Sequence, residues 1–282
     1  MKINVTRQII AIVCLSFLSS IYSLYGQHTL KILAIGNSFS EDAAESYVDD
    51  LAKADSVKLI IANLYWGGCS LETHWNNSQS SNTGYSYRKI INGDTTVYDH
   101  QNILHAIKNE DWDYITFQQV SQNSGMFISF FPYLDNLLNY VKSNVTNPKV
   151  QYALHRTWSY STNSNHGGYD YYHSNQIEMF DSIVNAYNKA SVRTGIKIII
   201  PAGTAIQNAR SSYLGDNLNR DGYHLNYTIG RYIAACTWYE KMTGHQVIGN
   251  KFYPKSISKA DADIAQKAAH NAVINPNKIT SM

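Results

Sequence analysis

Five short apolar segments, several of them nearly continuous apolar runs, constrain the fold of this chain more than any other feature of its sequence. We predict that each segment forms a β-strand. Strands that are apolar on both faces are typical of parallel sheets, whose crossover connections are usually helices. The predicted strands span residues 31–35, 57–63, 114–118, 150–154 and 197–200, and helices are predicted at 41–54, 101–109, 130–143, 171–194, 227–243 and about 258–273. The pattern therefore predicts one α/β domain of three layers, with a central, mainly five-stranded parallel sheet.

The functional site of such a sheet is expected beyond the carboxyl ends of its strands, where ligands bind in open α/β folds. Two irregular stretches follow predicted strands, from residue 65 to about 99 and from 156 to about 168. Long loops in a compact domain are usually functional or disordered. Both stretches contain Trp, His and Tyr, so we predict that they form ordered surfaces near a ligand.

A serine lies where the first predicted strand passes into the first predicted helix, within the sequence GNSFS at residues 36–40. This position exposes a side chain and directs backbone N–H groups towards it. Taken alone, Ser38 fits a helix N-cap better than a nucleophile. Ser40 directly precedes the predicted helix, however, and we expect it to cap that helix and to leave Ser38 free.

An acid and a histidine lie three positions apart near the end of the chain, in the sequence DGYH at residues 221–224. A serine hydroxyl becomes a good nucleophile when a base takes its proton and an acid orients that base. We predict that Ser38 is the nucleophile, His224 the general base and Asp221 the residue that orients the imidazole. Asp221 alone also fits an ordinary turn residue, but the three residues together, on a sheet of this type, favour catalysis.

Hydrolysis by a serine also requires hydrogen-bond donors for the oxyanion that forms during the reaction. The backbone N–H of Ser38 is the first candidate. Gly68 follows the second predicted strand and is the second candidate, because glycine lets the backbone approach a ligand closely. The sequence QQVSQN at residues 118–123, after the third predicted strand, carries further amides, and the sequence does not choose among them.

These motifs resemble those of the SGNH (GDSL-like) hydrolase superfamily over nearly the whole predicted mature chain, roughly from residue 30 to 243. Four blocks of that superfamily supply one residue each: a Ser, a Gly, an Asn, and a His within Asp-x-x-His. Ser38, Gly68 and His224 match three of the blocks, with Asp221 opening the last one, while Asn37 stands where Asp is common. The resemblance implies a flavodoxin-like α/β/α fold and serine-dependent hydrolysis of esters.

The third block departs from the superfamily pattern, because its usual Gly-x-Asn-Asp sequence is absent. Some carbohydrate-esterase branches of the superfamily use glutamine at the oxyanion position. The resemblance therefore implies Gln119 as the third donor, with Gln122 and Asn123 as alternatives and Gln118 as a further amide in the same segment. The chain resembles an atypical, carbohydrate-esterase-like branch.

Several residues near these motifs are candidates for contact with a substrate. Arginine can pair with the carboxylate of a uronic acid, although a structural salt bridge is the more common role of such a residue. The candidates flank the glycine block or follow the fourth predicted strand, and they are Trp66, His74, Arg156 and Trp158. We interpret His166 and His173 as loop residues rather than metal ligands, and we predict neither a metal nor a cofactor.

The start of the chain has the features of an export signal. A positively charged beginning precedes an apolar stretch at residues 9–21, and small residues precede a cleavage point before Gln27. We predict a signal peptide at 1–26 and a single mature domain at 27–282, located in the periplasm or outside the cell and without a stable membrane span after processing. An uncleaved N-terminal anchor is the alternative.

Charge and cysteine content narrow the choice of partners. The net charge is only +2 over 282 residues and no run of Lys and Arg occurs, so nucleic acid is not expected as a partner. Cys69 and Cys236 remain in the mature chain, and they either pair or stay as free thiols. The 22 Tyr and 5 Trp residues suit contact with the apolar faces of sugars, although most aromatic side chains fill cores.

Together these observations predict an exported serine esterase that removes an ester substituent, either an O-acetyl group or a uronate methyl ester, from a carbohydrate. A lipid or aryl esterase of the same fold is one alternative, which the polar residues of the 65–99 stretch disfavour. A non-catalytic carbohydrate-binding protein is the other, motivated by the atypical third block. The presence of Ser38, Asp221 and His224 together argues against that second alternative.

Overall fold

A single seven-stranded sheet organises the structure, a computed structural model that describes residues 28–282. The strands are β1 (Leu30–Gly36), β2 (Leu59–Tyr65), β3 (Tyr85–Ile91), β4 (Asp94–Gln101), β5 (Tyr114–Phe117), β6 (Gln151–His155) and β7 (Ile198–Ile200). They are ordered β4-β3-β2-β1-β5-β6-β7 across the sheet. The strands β2, β1, β5, β6 and β7 pair in parallel with their neighbours in that order, whereas β3 is antiparallel to both β2 and β4.

The five parallel strands coincide with the five apolar runs of the sequence. Their register places Gly36 beside Tyr65 and Ile35 beside Phe117, so β1, β2 and β5 end at one edge of the sheet. Residues 32–35 of β1 are at most 1% exposed. A central strand covered on both faces is mostly apolar, which is why these runs were visible in the sequence.

Helices cover the two faces of the sheet. They are α1 (Val48–Ala54), α2 (Leu71–Ser80), α3 (Ile103–Lys108), α4 (Tyr133–Asn144), α5 (Gln176–Thr194), α6 (Ala202–Arg210), α7 (Ile229–Thr243) and α8 (Lys259–Ile274). Helices α2, α3 and α4 pack against one another, and α6, α7 and α8 form a second mutually packed group. The predicted three-layer α/β/α fold is confirmed, and its sheet has two antiparallel strands beyond the five parallel ones.

The stretch from residue 65 to 99, predicted to be irregular, contains helix α2 and the β3–β4 hairpin. The hairpin turns through Asn92 and Gly93, both with positive φ (55° and 87°), as a two-residue Asn-Gly turn requires. This turn signal was present in the sequence. Strand β4 lies at the sheet edge, and all of its residues before Gln101 are exposed, so it carries no apolar run that would reveal it.

Two helical regions also differ from the prediction. The predicted helix at 41–54 is interrupted, because a π-helical turn at Glu41–Glu45 ends before Tyr47, whose φ is 66°. Helix α6 was not predicted. Each of its residues is buried, so it lacks the polar face that makes an amphipathic helix recognisable.

The two cysteines of the described chain are buried free thiols, which settles the choice left open by the sequence. Burial raises the pKa of Cys69 to about 12, so this thiol is unreactive at neutral pH. The predicted signal peptide lies outside the described residues. Among residues 28–282, no helix is both long enough and apolar enough to span a membrane.

Candidate active site

Ser38 begins a helical turn, Ser38–Ser40, directly after β1. The cap of this turn is Asn37, whose Oδ1 accepts a hydrogen bond from the Phe39 N–H at 3.0 Å. Ser40 was expected to be the cap, but its single hydroxyl proton is instead shared between two acceptors, the Asn37 carbonyl at 2.7 Å and Asn63 Oδ1 at 2.8 Å. The side chains of Asn37 and Ser40 are therefore both engaged in local structural hydrogen bonds. Neither of these bonds uses the Ser38 hydroxyl.

The structure brings Ser38, His224 and Asp221 into one chain of hydrogen bonds. Nε2 of His224 lies 2.8 Å from the Ser38 Oγ, and Nδ1 of His224 lies 2.6 Å from Asp221 Oδ2. The other carboxylate oxygen of Asp221 accepts from the backbone N–H groups of Tyr223 at 3.1 Å and His224 at 2.8 Å. Partial burial opposes ionisation of Asp221, but these hydrogen bonds outweigh it and lower the pKa of the carboxyl group.

A buried carboxylate fixes the loop that carries His224. Asp42 is fully buried, and its Oδ2 accepts from the Leu225 N–H at 2.8 Å. The guanidinium groups of Arg220 and Arg231 each donate to Asp42 Oδ1 at 2.9 Å. Because Asp42 belongs to the turn that follows Ser38, this ionic cluster holds the histidine loop against the serine turn. No pattern in the sequence indicated this cluster.

A cavity of about 320 Å³ opens beside the Ser38 hydroxyl, at the carboxyl edge of the parallel strands. Within the described chain, no lysine or arginine is among its lining residues. They are Asn37, Ser38, Phe39, Tyr65, Gly67, Gly68, Val120, Ser121, Gln122, His166, Tyr223 and His224. The cavity combines polar groups with aromatic rings in the location predicted for the site.

Gly68 lies in this cavity wall, with a φ of +67°, and a Cβ at this position would have no atom within 4 Å. The glycine therefore serves a left-handed backbone conformation rather than a close packing contact. Asn37 Nδ2 donates to the carbonyl of Cys69 at 2.9 Å, which ties the glycine loop to the serine turn. Ser38 is the first residue of its turn, so its N–H has no acceptor within that turn. Ser38 and Gly68 both line the cavity.

Gln119 does not take the third oxyanion position that the resemblance implied. Its side chain is buried, and its Oε1 accepts from the backbone N–H groups of Leu71 at 3.0 Å and Val120 at 2.8 Å. Its Nε2 donates to the Ser129 carbonyl at 2.9 Å. The amide of Gln119 thus joins the loop after β5 to the start of α2, and it is not among the residues that line the cavity. Of the alternatives, Gln122 lines the cavity and Asn123 does not.

Gln118 belongs to a buried network behind the serine turn. Its Oε1 lies 2.7 Å from Nδ1 of His155, and its Nε2 donates to Asn37 Oδ1 at 2.6 Å. An amide oxygen can only accept, so His155 carries its proton on Nδ1. Burial lowers the pKa of His155 to about 3, which keeps the ring neutral. The network fixes the Asn37 amide so that its Nδ2 faces Cys69.

The two substrate candidates beside the glycine block lie away from the cavity. His74 is fully buried and its Nδ1 lies 2.9 Å from the Tyr85 hydroxyl. Burial lowers its pKa to about 3. Trp66 is half-buried and packs edge-on against Tyr85, with ring centroids 5.1 Å apart. Both side chains stabilise the β3 side of the domain instead of contacting the cavity.

The two candidates after the fourth parallel strand are also structural. Arg156 is fully buried and donates to Asn277 Oδ1 at 3.0 Å and to the Pro276 carbonyl, so it anchors the C-terminal segment. Trp158 is fully buried and stacks on Phe39, with ring centroids 4.4 Å apart. Its Nε1 donates to the Tyr223 carbonyl at 2.8 Å, so it supports two residues of the cavity wall from behind.

Other residues of the cavity wall were not singled out as substrate contacts. Tyr65 ends β2, beside Gly36, and Tyr223 lies within the Asp-x-x-His motif itself. His166 comes from the stretch 156–168, whose irregular backbone was predicted. Their positions at strand ends and within motif loops were visible signals, but the direction of each side chain was not. His173 is exposed and pairs with Glu178 at 2.8 Å, outside the cavity.

The fold places the chain in the class of α/β/α proteins that share the architecture of SGNH hydrolases. The chain belongs to the DUF4886 family, described as a domain of unknown function, whose model matches residues 31–272. The crystal structure of a DUF4886 family protein from Bacteroides uniformis ATCC 8492 is 46% identical to it, covering 90% of this chain and 98% of that chain with a TM-score of 0.89.

More distant structures are similar in fold alone. A protein from Slackia heliotrinireducens, suggested to be an SGNH hydrolase, is 20% identical, with 76% of this chain and 100% of that chain covered and a TM-score of 0.52. An acetylxylan esterase from Geobacillus stearothermophilus, in a catalytic mutant form, is 13% identical over 79% and 98% of the two chains, with a TM-score of 0.49. That likeness is too distant to assign an activity. No curated protein sequence matches the chain.

Proposed function

We propose that this protein is an exported serine esterase that removes an O-acetyl substituent from a carbohydrate. The observation that carries the proposal is the continuous hydrogen-bonded chain from Ser38 through His224 to Asp221, open to a cavity at the strand ends. This geometry matches the nucleophile, base and orienting acid of serine hydrolases. The predicted signal peptide at 1–26 motivates the location outside the cytoplasm.

The reaction begins when the Ser38 hydroxyl attacks the acetyl carbonyl carbon and its proton moves to Nε2 of His224. Asp221 holds the Nδ1 proton of His224 and stabilises the imidazolium. The N–H groups of Ser38 and Gly68 stabilise the tetrahedral oxyanion. Collapse of this intermediate breaks the bond to the sugar oxygen, which leaves as an alcohol with the proton from Nε2, and Ser38 is left acetylated.

Water completes the cycle by the same steps. His224 takes a proton from the attacking water, a second tetrahedral intermediate forms on the acetyl carbon, and its collapse releases acetic acid and restores the Ser38 hydroxyl. No cofactor enters either half of the cycle. The one-proton shuttle through Nε2 requires only that His224 be neutral when each nucleophile attacks.

The charge of the cavity favours an acetyl ester over a uronate methyl ester. In a methyl-esterified polyuronide, the neighbouring sugar units that are not esterified carry free carboxylates. Arginine is the usual partner for a carboxylate. Arg156, the candidate partner, is buried and bonded to Asn277 and Pro276. The described residues that line the cavity include neither lysine nor arginine. A neutral substituent on a neutral sugar fits this wall better.

Release of acetate and methanol from a panel of polysaccharides tests the proposal. The panel contains acetylated xylan, acetylated glucomannan, acetylated pectin and methyl-esterified pectin, and 4-nitrophenyl esters of increasing acyl length report activity on simple esters. We expect acetate from at least one acetylated glycan with the wild-type protein and none with Ser38→Ala. Methanol release would redirect the proposal to a uronate methylesterase, and activity confined to long acyl chains would replace it with a lipid esterase. Glycan binding without any ester cleavage would indicate a binding protein.

A further inference from the structure

His166 is a cavity-lining histidine that the proposed reaction does not use. Its Nδ1 accepts a hydrogen bond from the backbone N–H of Gly168 at 3.0 Å, where it caps the 3₁₀ turn Gly167–Tyr172. A ring nitrogen that accepts carries no proton, so the neutral ring must carry its proton on Nε2. Within residues 28–282, no hydrogen bond or ion pair involves this Nε2. The ring therefore offers one uncommitted donor at the cavity wall.

Packing holds the His166 ring in place. It contacts the rings of Tyr160, at a centroid distance of 5.0 Å, and Tyr223, at 4.8 Å, and these two rings also contact each other at 5.7 Å. Tyr223 in turn contacts the His224 ring at 4.2 Å, so one aromatic contact separates His166 from the catalytic base. Burial and the neighbouring His224 both lower the pKa of His166, which keeps it in the neutral form that can cap Gly168.

The backbone below His166 is also shaped for this arrangement. A Cβ on Gly168 would lie 2.2 Å from the Cβ of Gln122, so only glycine lets the loop pack this closely against Gln122. Gln122 itself lines the cavity next to the loop. A donor whose ring, tautomer and supporting loop are all fixed before binding loses little freedom when a ligand accepts its hydrogen bond.

We propose that His166 is a substrate-positioning residue whose Nε2–H donates to a sugar oxygen close to the ester that is cleaved. The proposal rests on the carbohydrate esterase function proposed above and specifies how that site distinguishes a sugar ester from a simple ester. A neutral donor suits an uncharged hydroxyl or ring oxygen. A ligand that lacks such an oxygen leaves the donor unpaired when it binds, and this costs binding free energy. An aryl acetate lacks one, whereas a sugar acetate carries several.

Three substitutions separate this role from capping of the loop. His166→Asn keeps an acceptor at the γ branch, where asparagine caps turns well, but removes the donor at the ε position. His166→Gln keeps an amide donor at about the reach of Nε2 and loses the cap. His166→Ala loses both. His173→Asn is the matched control, because His173 is exposed and lies outside the cavity.

The kinetic test compares the acetylated oligosaccharide that the wild-type protein cleaves fastest with 4-nitrophenyl acetate. We expect His166→Asn to raise KM for the oligosaccharide by about fivefold to tenfold more than it raises KM for the aryl ester, because the variant loses one hydrogen bond to the sugar. His166→Gln should recover most of this preference while lowering the melting temperature, and His173→Asn should behave as wild type. Equal losses on both substrates, or none on either, would overturn the proposal.

A binding experiment keeps the inference testable if no ester is cleaved. In Ser38→Ala protein, ¹⁵N spectra of the imidazoles should show His166 protonated on Nε2. Titration with acetylated oligosaccharides prepared from the acetylated glycans of the panel should shift that resonance. If the resonance shifts but the wild-type protein cleaves no ester, the esterase proposal is wrong and the proposed contact between His166 and the carbohydrate stands. If no oligosaccharide moves the resonance, or if His166 is protonated on Nδ1, the His166 proposal is wrong even where the esterase is active.

Discussion

The Ser38 hydroxyl oxygen lies 2.8 Å from Nε2 of His224, although the two residues are 186 positions apart in the chain. Strand β1 brings Ser38 to the carboxyl edge of the sheet, and the loop before α7 brings His224 to the same edge. Asp42 joins the two segments by accepting hydrogen bonds from the histidine loop. The pair is therefore held by long-range packing and a buried ionic cluster.

Substitution of the orienting acid should reduce turnover rather than binding. In Asp221→Asn the amide no longer stabilises the imidazolium and no longer selects the required tautomer of His224. We expect kcat to fall by about 10²- to 10⁴-fold with little change in KM, measured on the ester that the wild-type protein cleaves best. Asp99→Asn, on the exposed edge strand, is the control. An Asp221→Asn variant within threefold of wild type would remove Asp221 from the mechanism.

The buried amide behind the serine turn should matter for both stability and catalysis. Gln118→Met fills similar space but breaks the bonds to Asn37 and His155, leaving a buried imidazole N–H unpaired. We expect a loss of about 2–4 kcal/mol in the free energy of unfolding, measured by urea denaturation. We also expect kcat to fall by about tenfold, because Asn37 no longer holds the glycine loop in place. The same substitution at the exposed Gln79 should change neither, and a stable, fully active Gln118→Met would contradict this account.

Two adjacent glycines provide a matched test of the cavity wall. A Cβ on Gly168 would meet Gln122 at 2.2 Å, whereas a Cβ on Gly167 has no atom within 4 Å. Gly168→Ala should cost about 1–3 kcal/mol in unfolding free energy through overpacking and should displace Gln122 and His166 from the cavity. Gly167→Ala should stay within about 0.5 kcal/mol of wild type. Thermal denaturation and kcat/KM measured on both variants check this, and similar behaviour of the two would show that the loop relaxes freely.

Acid should destabilise the fold through its buried histidines. Burial lowers the pKa of His74 from 6.5 to about 3 in the folded state, so below pH 6.5 the unfolded chain binds a proton that the folded protein does not. The stability that His74 contributes is present above pH 6.5 and is lost as the pH falls towards 3, at up to about 1.4 kcal/mol per pH unit. The free energy of unfolding, measured by urea denaturation at several pH values between 7 and 4.5, should fall less steeply with decreasing pH for His74→Asn than for wild type. The difference between the two slopes should correspond to about one proton. The exposed His100→Asn should keep the wild-type slope.

The sequence predicted the parallel core and the three residues of the hydrogen-bonded chain for physical reasons that can be stated. A doubly covered strand is mostly apolar, so β1, β2, β5, β6 and β7 were visible as runs. Ser38, Asp221 and His224 lie in short motifs whose spacing carries their chemistry. Helix α6 is buried on every side and β4 is exposed on every side, so neither shows the alternation that reveals an element.

The rest of the site depends on side-chain direction, which the sequence does not carry. Three nearby glutamines illustrate this point. Gln118 turns behind the serine turn to His155, Gln119 turns towards the start of α2, and Gln122 lines the cavity. The same residue type thus has three destinations within five positions, decided by which buried donors and acceptors each amide must satisfy. The choice of Gln119 as an oxyanion donor failed for this reason.

Covalent labelling of Ser38 tests the central claim most directly. A serine attacks an activated phosphonate ester only when a base has made the serine hydroxyl nucleophilic. The attack leaves a stable phosphonyl adduct on that serine. We predict that the wild-type protein and a Ser80→Ala control gain one adduct, located on Ser38 by peptide mass spectrometry, and that Ser38→Ala gains none. An unlabelled wild-type protein, or an adduct that persists in Ser38→Ala, would contradict the assignment of Ser38 as the nucleophile.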